Sequence, residues 1–106
     1  MSSAEPGLYR LAPKCLEDLE DVWRYTAETW SVAQADDYID DLIRVFEAIA
    51  TTPTLGRERP EFTPLVRIHP HQSHVIVYII RDEGVVVLRI LGGRQNWRAI
   101  LQAMEG

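Results

Sequence analysis

Tyr78-Ile79-Ile80-Arg81-Asp82-Glu83-Gly84-Val85-Val86-Val87-Leu88-Arg89-Ile90-Leu91-Gly92-Gly93-Arg94-Gln95-Asn96-Trp97 is the stretch whose reading decides the fold. Two apolar, β-branched runs flank Asp82-Glu83-Gly84, whose glycine tolerates positive φ, so the pattern is a β-hairpin. Gly92-Gly93 then turns the second strand away. Asn96 reads as the N-cap of a closing helix, along which Trp97, Ile100, Leu101 and Met104 form one apolar stripe. Residues 75–80 and 85–91 are almost continuously apolar, which requires cover on both faces of their sheet. A helix pair can cover one face. The terminal helix, or a partner, must cover the other.

Upstream, residues 65–69 make a further strand, so three consecutive strands form an antiparallel meander. Residues 54–64 hold two prolines and Gly56 without periodicity and read as a loop. Residues 8–11 suggest a short N-terminal strand. Pro13 at a first helical position begins a helix on which Leu16, Leu19, Trp23, Thr26 and Trp30 recur at helical spacing. Glu17, Asp18, Glu20 and Asp21 crowd its early turns, where they complement the helix dipole. Ser31-Val32-Ala33-Gln34 fits a capping box and starts a second helix. There Ala35, Tyr38, Ile39, Leu42, Val45, Phe46 and Ile49 line one face, and Pro53 ends the run. The short link folds the two helices into an antiparallel hairpin. The fold class is α+β: an N-terminal strand and helical hairpin packed on a three- to four-stranded antiparallel sheet, with a short C-terminal helix.

With 106 residues the chain has room for one domain, expected over residues 7–106, with residues 1–6 a disordered tail. An apolar fraction of 46% with 25% charged residues is ordinary for a globular domain. No apolar run reaches the roughly 18 residues of a membrane span, and a signal peptide's basic-then-apolar pattern is missing, so a cytoplasmic location is expected. The net charge of −5 is unevenly spread. Residues 1–50 carry four basic against eleven acidic groups, a balance of −7, and residues 51–106 carry seven arginines against five acids, +2. No single-sign basic surface exists to neutralise many phosphates, which argues against direct nucleic-acid binding by the chain alone. Ten of the eleven basic residues are arginine, whose planar fork suits protein interfaces better than lysine does.

Few residues suggest catalysis. Cys15, beside Lys14, is either a nucleophile with a lowered pKa or a small apolar residue on a helix side, and the second reading is preferred. His69 and His71 share a strand-face spacing found in metal sites, but no cysteine or placed carboxylate completes a ligand set, so no metal is expected. Gly92-Gly93 lacks the spacing and the βαβ setting of a phosphate or dinucleotide loop, and no cofactor is implied. Trp23, Trp30 and Trp97 read as packing residues rather than stacking platforms for bases.

The hairpin, together with residues 13–19 and 35–53, resembles the ParE-type toxins of the ParE/RelE toxin–antitoxin superfamily, over residues 9–104. That resemblance implies a growth-arresting, plasmid-stabilising toxin that inhibits DNA gyrase and is neutralised by a ParD-like antitoxin. Carried over by position, the segment from Arg89 through Arg94, Trp97 and Arg98 is the candidate target contact, and Arg57 and Arg59 of the preceding loop are the next candidates. Leu19, Trp23, Trp30 and Tyr38 are the candidate antitoxin contacts. Gly92 and Gln95 replace a histidine and an arginine of the family pattern. RelE-type relatives cut messenger RNA on the ribosome with a strand arginine and a C-terminal tyrosine or histidine, but Val75 and Ile100 stand near those positions here. Catalytic residues are therefore not expected. A ribosome-dependent endonuclease and an inactive antitoxin-binding module remain the alternative readings.

Overall fold

The computed structural model describes residues 8–104; the expected disordered tail lies outside them. The elements run β1 (Tyr9–Leu11), α1 (Pro13–Thr29), α2 (Val32–Thr51), a short 3-10 turn (Pro53–Leu55), β2 (Arg57–Arg59), β3 (Val66–His71), β4 (His74–Arg81), β5 (Gly84–Gly92) and α3 (Trp97–Met104). The sheet has five strands in the order β1-β5-β4-β3-β2. The α+β class and the meander are as expected, but the strand count and the purely antiparallel pairing are not. Strand β1 lies parallel to β5, pairing Tyr9 with Val85 and Leu11 with Val87. A three-residue strand carries no sign of its direction, and its partner, from Val85 to Val87, lies far along the chain.

The stretch expected as loop contains β2, which pairs antiparallel with β3 through Arg57↔Ile68 and Arg59↔Val66. Arg-Glu-Arg has no apolar residue to announce a strand, and such charged sequences suit a sheet edge because they discourage further pairing. Strand β3 also runs two residues beyond the expected end, through Pro70 to His71.

Each helix end has a local cause. Pro13 opens α1, whose Ala12 makes no side-chain cap. Ser31 caps α2 by accepting a hydrogen bond at Oγ from the Gln34 N–H (3.0 Å), which is the serine half of the expected capping box. No acid occupies the first turn of α1, contrary to the dipole expectation. The buried face of α1 is instead Cys15, Asp18 and Val22. That face is rotated from the expected stripe, so Leu16 (52% exposed) and Trp30 (68%) point outward.

Both sheet faces are covered by the chain itself. On one side α1 and α2 bring Cys15, Val22, Leu42, Phe46 and Ile49 onto Ile76, Tyr78, Val85, Val87 and Ile90. On the other, Leu101 of α3 and Phe62 pack on Val66, Ile68, Val77, Ile79, Val86 and Leu91. No partner is needed to bury the main apolar surface. In β5 the pairing passes from Val77↔Arg89 to Tyr78↔Val87, leaving Leu88 unpaired as a bulge. At the β4–β5 turn Gly84 has φ +143°, and an added Cβ would collide with the Leu8 carbonyl. Only glycine fits there, because Val85 N–H donates to that same carbonyl (2.9 Å).

Asp18 joins the two layers. Arg89 donates to it from Nε (2.8 Å) and Nη2 (3.0 Å), and the Ile90 N–H donates as well (2.9 Å). The two side chains retain only 15% and 11% exposure. Replacing Asp18 with alanine strands a largely buried guanidinium and a buried N–H, so denaturant unfolding should reveal a loss of about 3–5 kcal/mol. A loss under about 1 kcal/mol would mean that water replaces the carboxylate.

Candidate functional site

The segment between β5 and α3 is held by its own backbone and side chains and by the β3–β4 turn. Gly93 N–H donates to the Ser73 carbonyl (2.7 Å), and Gln95 N–H to the Gly92 carbonyl (3.0 Å). The Gly92 N–H in turn donates to Gln95 Oε1. Asn96 caps α3, accepting at Oδ1 from the Ala99 N–H (3.3 Å). The helix therefore starts at a defined place, with Trp97 half-buried against the sheet and Arg98 exposed.

Trp97 is the centre of a side-chain cluster drawn from two distant parts of the chain. The Arg59 guanidinium carbon lies 5.0 Å from the indole centroid and that of Arg98 lies 4.9 Å away, both within cation–π range. Phe62 approaches the same ring at 6.4 Å, tilted by 50°. Glu61 completes the group. Its Oε2 accepts from Arg59 Nε (3.0 Å) and Nη2 (2.9 Å) and from Arg98 Nη1 (3.4 Å). A backbone hydrogen bond, and then Arg59, hold the exposed Glu61 carboxyl below its ordinary pKa.

A buried tyrosine sets the position of Arg59. Tyr78 is fully buried, and its hydroxyl donates to the Pro53 carbonyl (2.6 Å) while accepting from the Gly56 N–H (2.7 Å). A Cβ at Gly56 would come within 2.7 Å of the Tyr78 ring and hydroxyl. Arg67 adds a hydrogen bond to the Gly56 carbonyl (2.8 Å) and a salt bridge to Glu58 (2.9 Å). The chain entering β2 is thus tied to the sheet, and Arg57 and Arg59, two residues apart, project from the face that α3 covers.

A cleft of about 520 Å³ lies between α1 and the end of β5, lined by residues that include Asp18, Asp21, Tyr25, His74, Arg89 and Gln95. Nearby, Tyr38 Oη sits 2.7 Å from His74 Nδ1, and the Tyr38 ring also faces His71 (5.8 Å). Burial, followed by the charge on His71, pushes the pKa of both His69 and His74 down. His71 Nε2 is the one buried side-chain polar atom among the described residues without a hydrogen-bond partner. No three potential ligands among them could hold a metal ion. Burial, then the neighbouring Asp18, drives the Cys15 thiol up to about 12, so it is a core residue and not a nucleophile.

The chain matches, over residues 9–97, the family described as the ParE toxin of the type II toxin–antitoxin system parDE. Toxin ParE1 of Caulobacter vibrioides is 34% identical over 93 residues, covering 88% of this chain and 96% of that toxin. Toxin ParE1 of Mycobacterium tuberculosis is 33% identical over 89 residues, covering 83% and 91%. The chain belongs to the ParE toxin family of type II toxin–antitoxin systems. Its fold is that of a chain from the chromosomal ParDE system of P. aeruginosa, with a TM-score of 0.71 at 16% identity over 82% of this chain and 96% of that one.

Within this ParE-family fold the six candidate target residues divide. Arg59, Trp97 and Arg98 come together, Arg57 shares the face of Arg59, and Arg94 is exposed in the loop before α3. Arg89 is committed to Asp18 on the helix side. The four candidate antitoxin residues form no single open patch. Leu19 and Tyr38 pack on the core, and Trp23 is half-buried with Nε1 donating to Asp36 (2.9 Å). Trp30 is open. It is the C-cap that ends α1.

Sequence reasoning missed Glu61, Asp18 and Tyr78. Asp18 left a trace: it falls in step with Cys15 and Val22 on the buried stripe. Nothing local marked Glu61, whose partners lie two and thirty-seven residues away.

Tyr78→Phe should lower stability by about 1–3 kcal/mol in denaturant unfolding, because it leaves a buried N–H and a carbonyl without their partner. For the histidines, a folded-state pKa below the unfolded value means that the unfolded chain binds more protons. Melting temperature should therefore fall as pH drops through the unfolded value of 6.5 and level off below the folded values. His69→Gln with His74→Gln should flatten that dependence between about pH 7.5 and 5.5.

Proposed function

We propose that this toxin-family chain inhibits DNA gyrase without cleaving RNA, works in the cytoplasm where gyrase acts, and is held inactive by a ParD-like antitoxin. The observation that carries the target site is the Arg59–Trp97–Arg98 cluster, with Arg57 exposed on the same face and Arg94 exposed in the loop before α3. An aromatic ring flanked by guanidiniums is the composition of binding hot spots at protein interfaces. Arg89 drops out of this surface because its fork is filled by Asp18.

Two features speak against endonuclease chemistry. Residues 97–104 contain no tyrosine or histidine to transfer a proton. The cleft that does hold a histidine is lined by Asp18 and Asp21 against Arg89 alone, and that acidic balance disfavours an RNA phosphate. For the antitoxin, exposed Leu16 of α1 and exposed Trp30 at its C-cap, with half-buried Trp23 between them in sequence, supply apolar surface that an amphipathic segment can cover.

Arg94→Glu combined with Arg98→Glu should abolish gyrase inhibition and growth arrest while leaving antitoxin binding intact. Melting should change little, since exposed substitutions usually cost within about 0.5 kcal/mol. A supercoiling assay, a translating-ribosome cleavage assay and a thermal scan check this together. Codon-specific messenger cleavage with normal supercoiling would sink the gyrase reading, and full toxicity in the folded double mutant would move the target site.

A further inference from the structure

We propose that Glu61 is a built-in stand-in for a target carboxylate: the Arg59–Trp97–Arg98 site reads an acidic protein segment, and Glu61 yields its place when that segment docks. This rests on the reading of the cluster as the target face.

Two guanidiniums from separate elements, β2 and α3, converge on one carboxylate oxygen, Glu61 Oε2. An arginine fork is best satisfied by both oxygens of a carboxylate lying side-on. Glu61 is only two residues from Arg59 and meets it with a single oxygen, while its contact with Arg98 is stretched to 3.4 Å. Its side chain is 43% exposed and that of Arg98 is 58% exposed, so both can exchange partners. Arg59, by contrast, is held at 20% exposure against Trp97, on a strand anchored through Gly56 and Tyr78. The receptor half of the site is preformed and the occupant is loose.

The charge pattern selects the partner. Arg57 and Arg94 add positive charge without salt bridges of their own among the described residues, whereas Glu58 is neutralised by Arg67. A few arginines beside a tryptophan suit a short acidic stretch of protein. They do not make the extended basic track that a nucleic-acid backbone needs.

The test compares the wild-type chain with Glu61→Gln, which keeps the side-chain shape and removes the charge. Each is titrated with a labelled oligoglutamate peptide, with a short duplex DNA and with purified DNA gyrase. Removing a competing exposed ion pair should tighten oligoglutamate and gyrase binding about two- to sixfold. Added salt should weaken both, and Arg98→Gln in the Glu61→Gln background should cancel the gain. Equal or weaker binding of both probes by Glu61→Gln overturns the proposal. So does a gain for DNA in place of oligoglutamate, or a large drop in melting temperature that marks Glu61 as structural. If oligoglutamate shows the gain while gyrase binds neither variant, the gyrase reading fails and the acidic-partner inference stands. If gyrase binds both variants equally, the reverse holds.

Discussion

The contact on which the rest of the molecule depends is the grip of Asp18 on Arg89 and the Ile90 N–H. It is the polar bond between the helical layer and strand β5, and it sits beside the bulge at Leu88. Strand β5 leads directly into Gly92, Gly93 and the loop before α3. Fixing its end against α1 therefore fixes where the terminal helix starts. A hydrophobic pair at this place would bury as much surface, but it would not satisfy the Ile90 N–H or set the direction of the arginine. The geometry is that of a fork held by two oxygens, with the backbone as a third donor.

Around that bond the sheet is sealed on both faces by different means. The helical hairpin supplies the large cover over Tyr78 and Val87, and α3 with Phe62 supplies the smaller one over Val77 and Leu91. The smaller cover also carries the proposed target site. Trp97 packs inward at the edge of α3 and presents its ring between two arginines, so the residue that closes the core also builds the site. The geometry of this cluster thus depends on how firmly α3 and the chain entering β2 are held. Their ties are the Asn96 cap, the anchoring of Gly93 by Ser73, and the Tyr78 hydroxyl on Pro53 and Gly56.

The apolar surface on α1 and the arginine cluster belong to different layers. The first lies on the helical hairpin, the second on the face that α3 covers. A partner seated on one need not occupy the other, and any influence between them would run through the packed layers and the Asp18–Arg89 bond.

Much of the architecture was legible in the order of residues because its causes are local. The Asp82-Glu83-Gly84 turn, Pro13 at a helix start, the Ser31 cap and the helical period of residues 35–49 each declare an element by themselves. The apolar runs of β4 and β5 declared a sheet needing cover on two sides. What the sequence could not declare depends on meetings between distant segments. The charged edge strand β2 exists because β3 offers it hydrogen bonds, and the direction of β1 is set by a partner far along the chain. Arg89 and Arg98 look alike in sequence. Only the tertiary structure turned one inward to an aspartate and laid the other on a tryptophan, because the side of the sheet on which each emerges is decided by pairing, bulge and packing rather than by residue type.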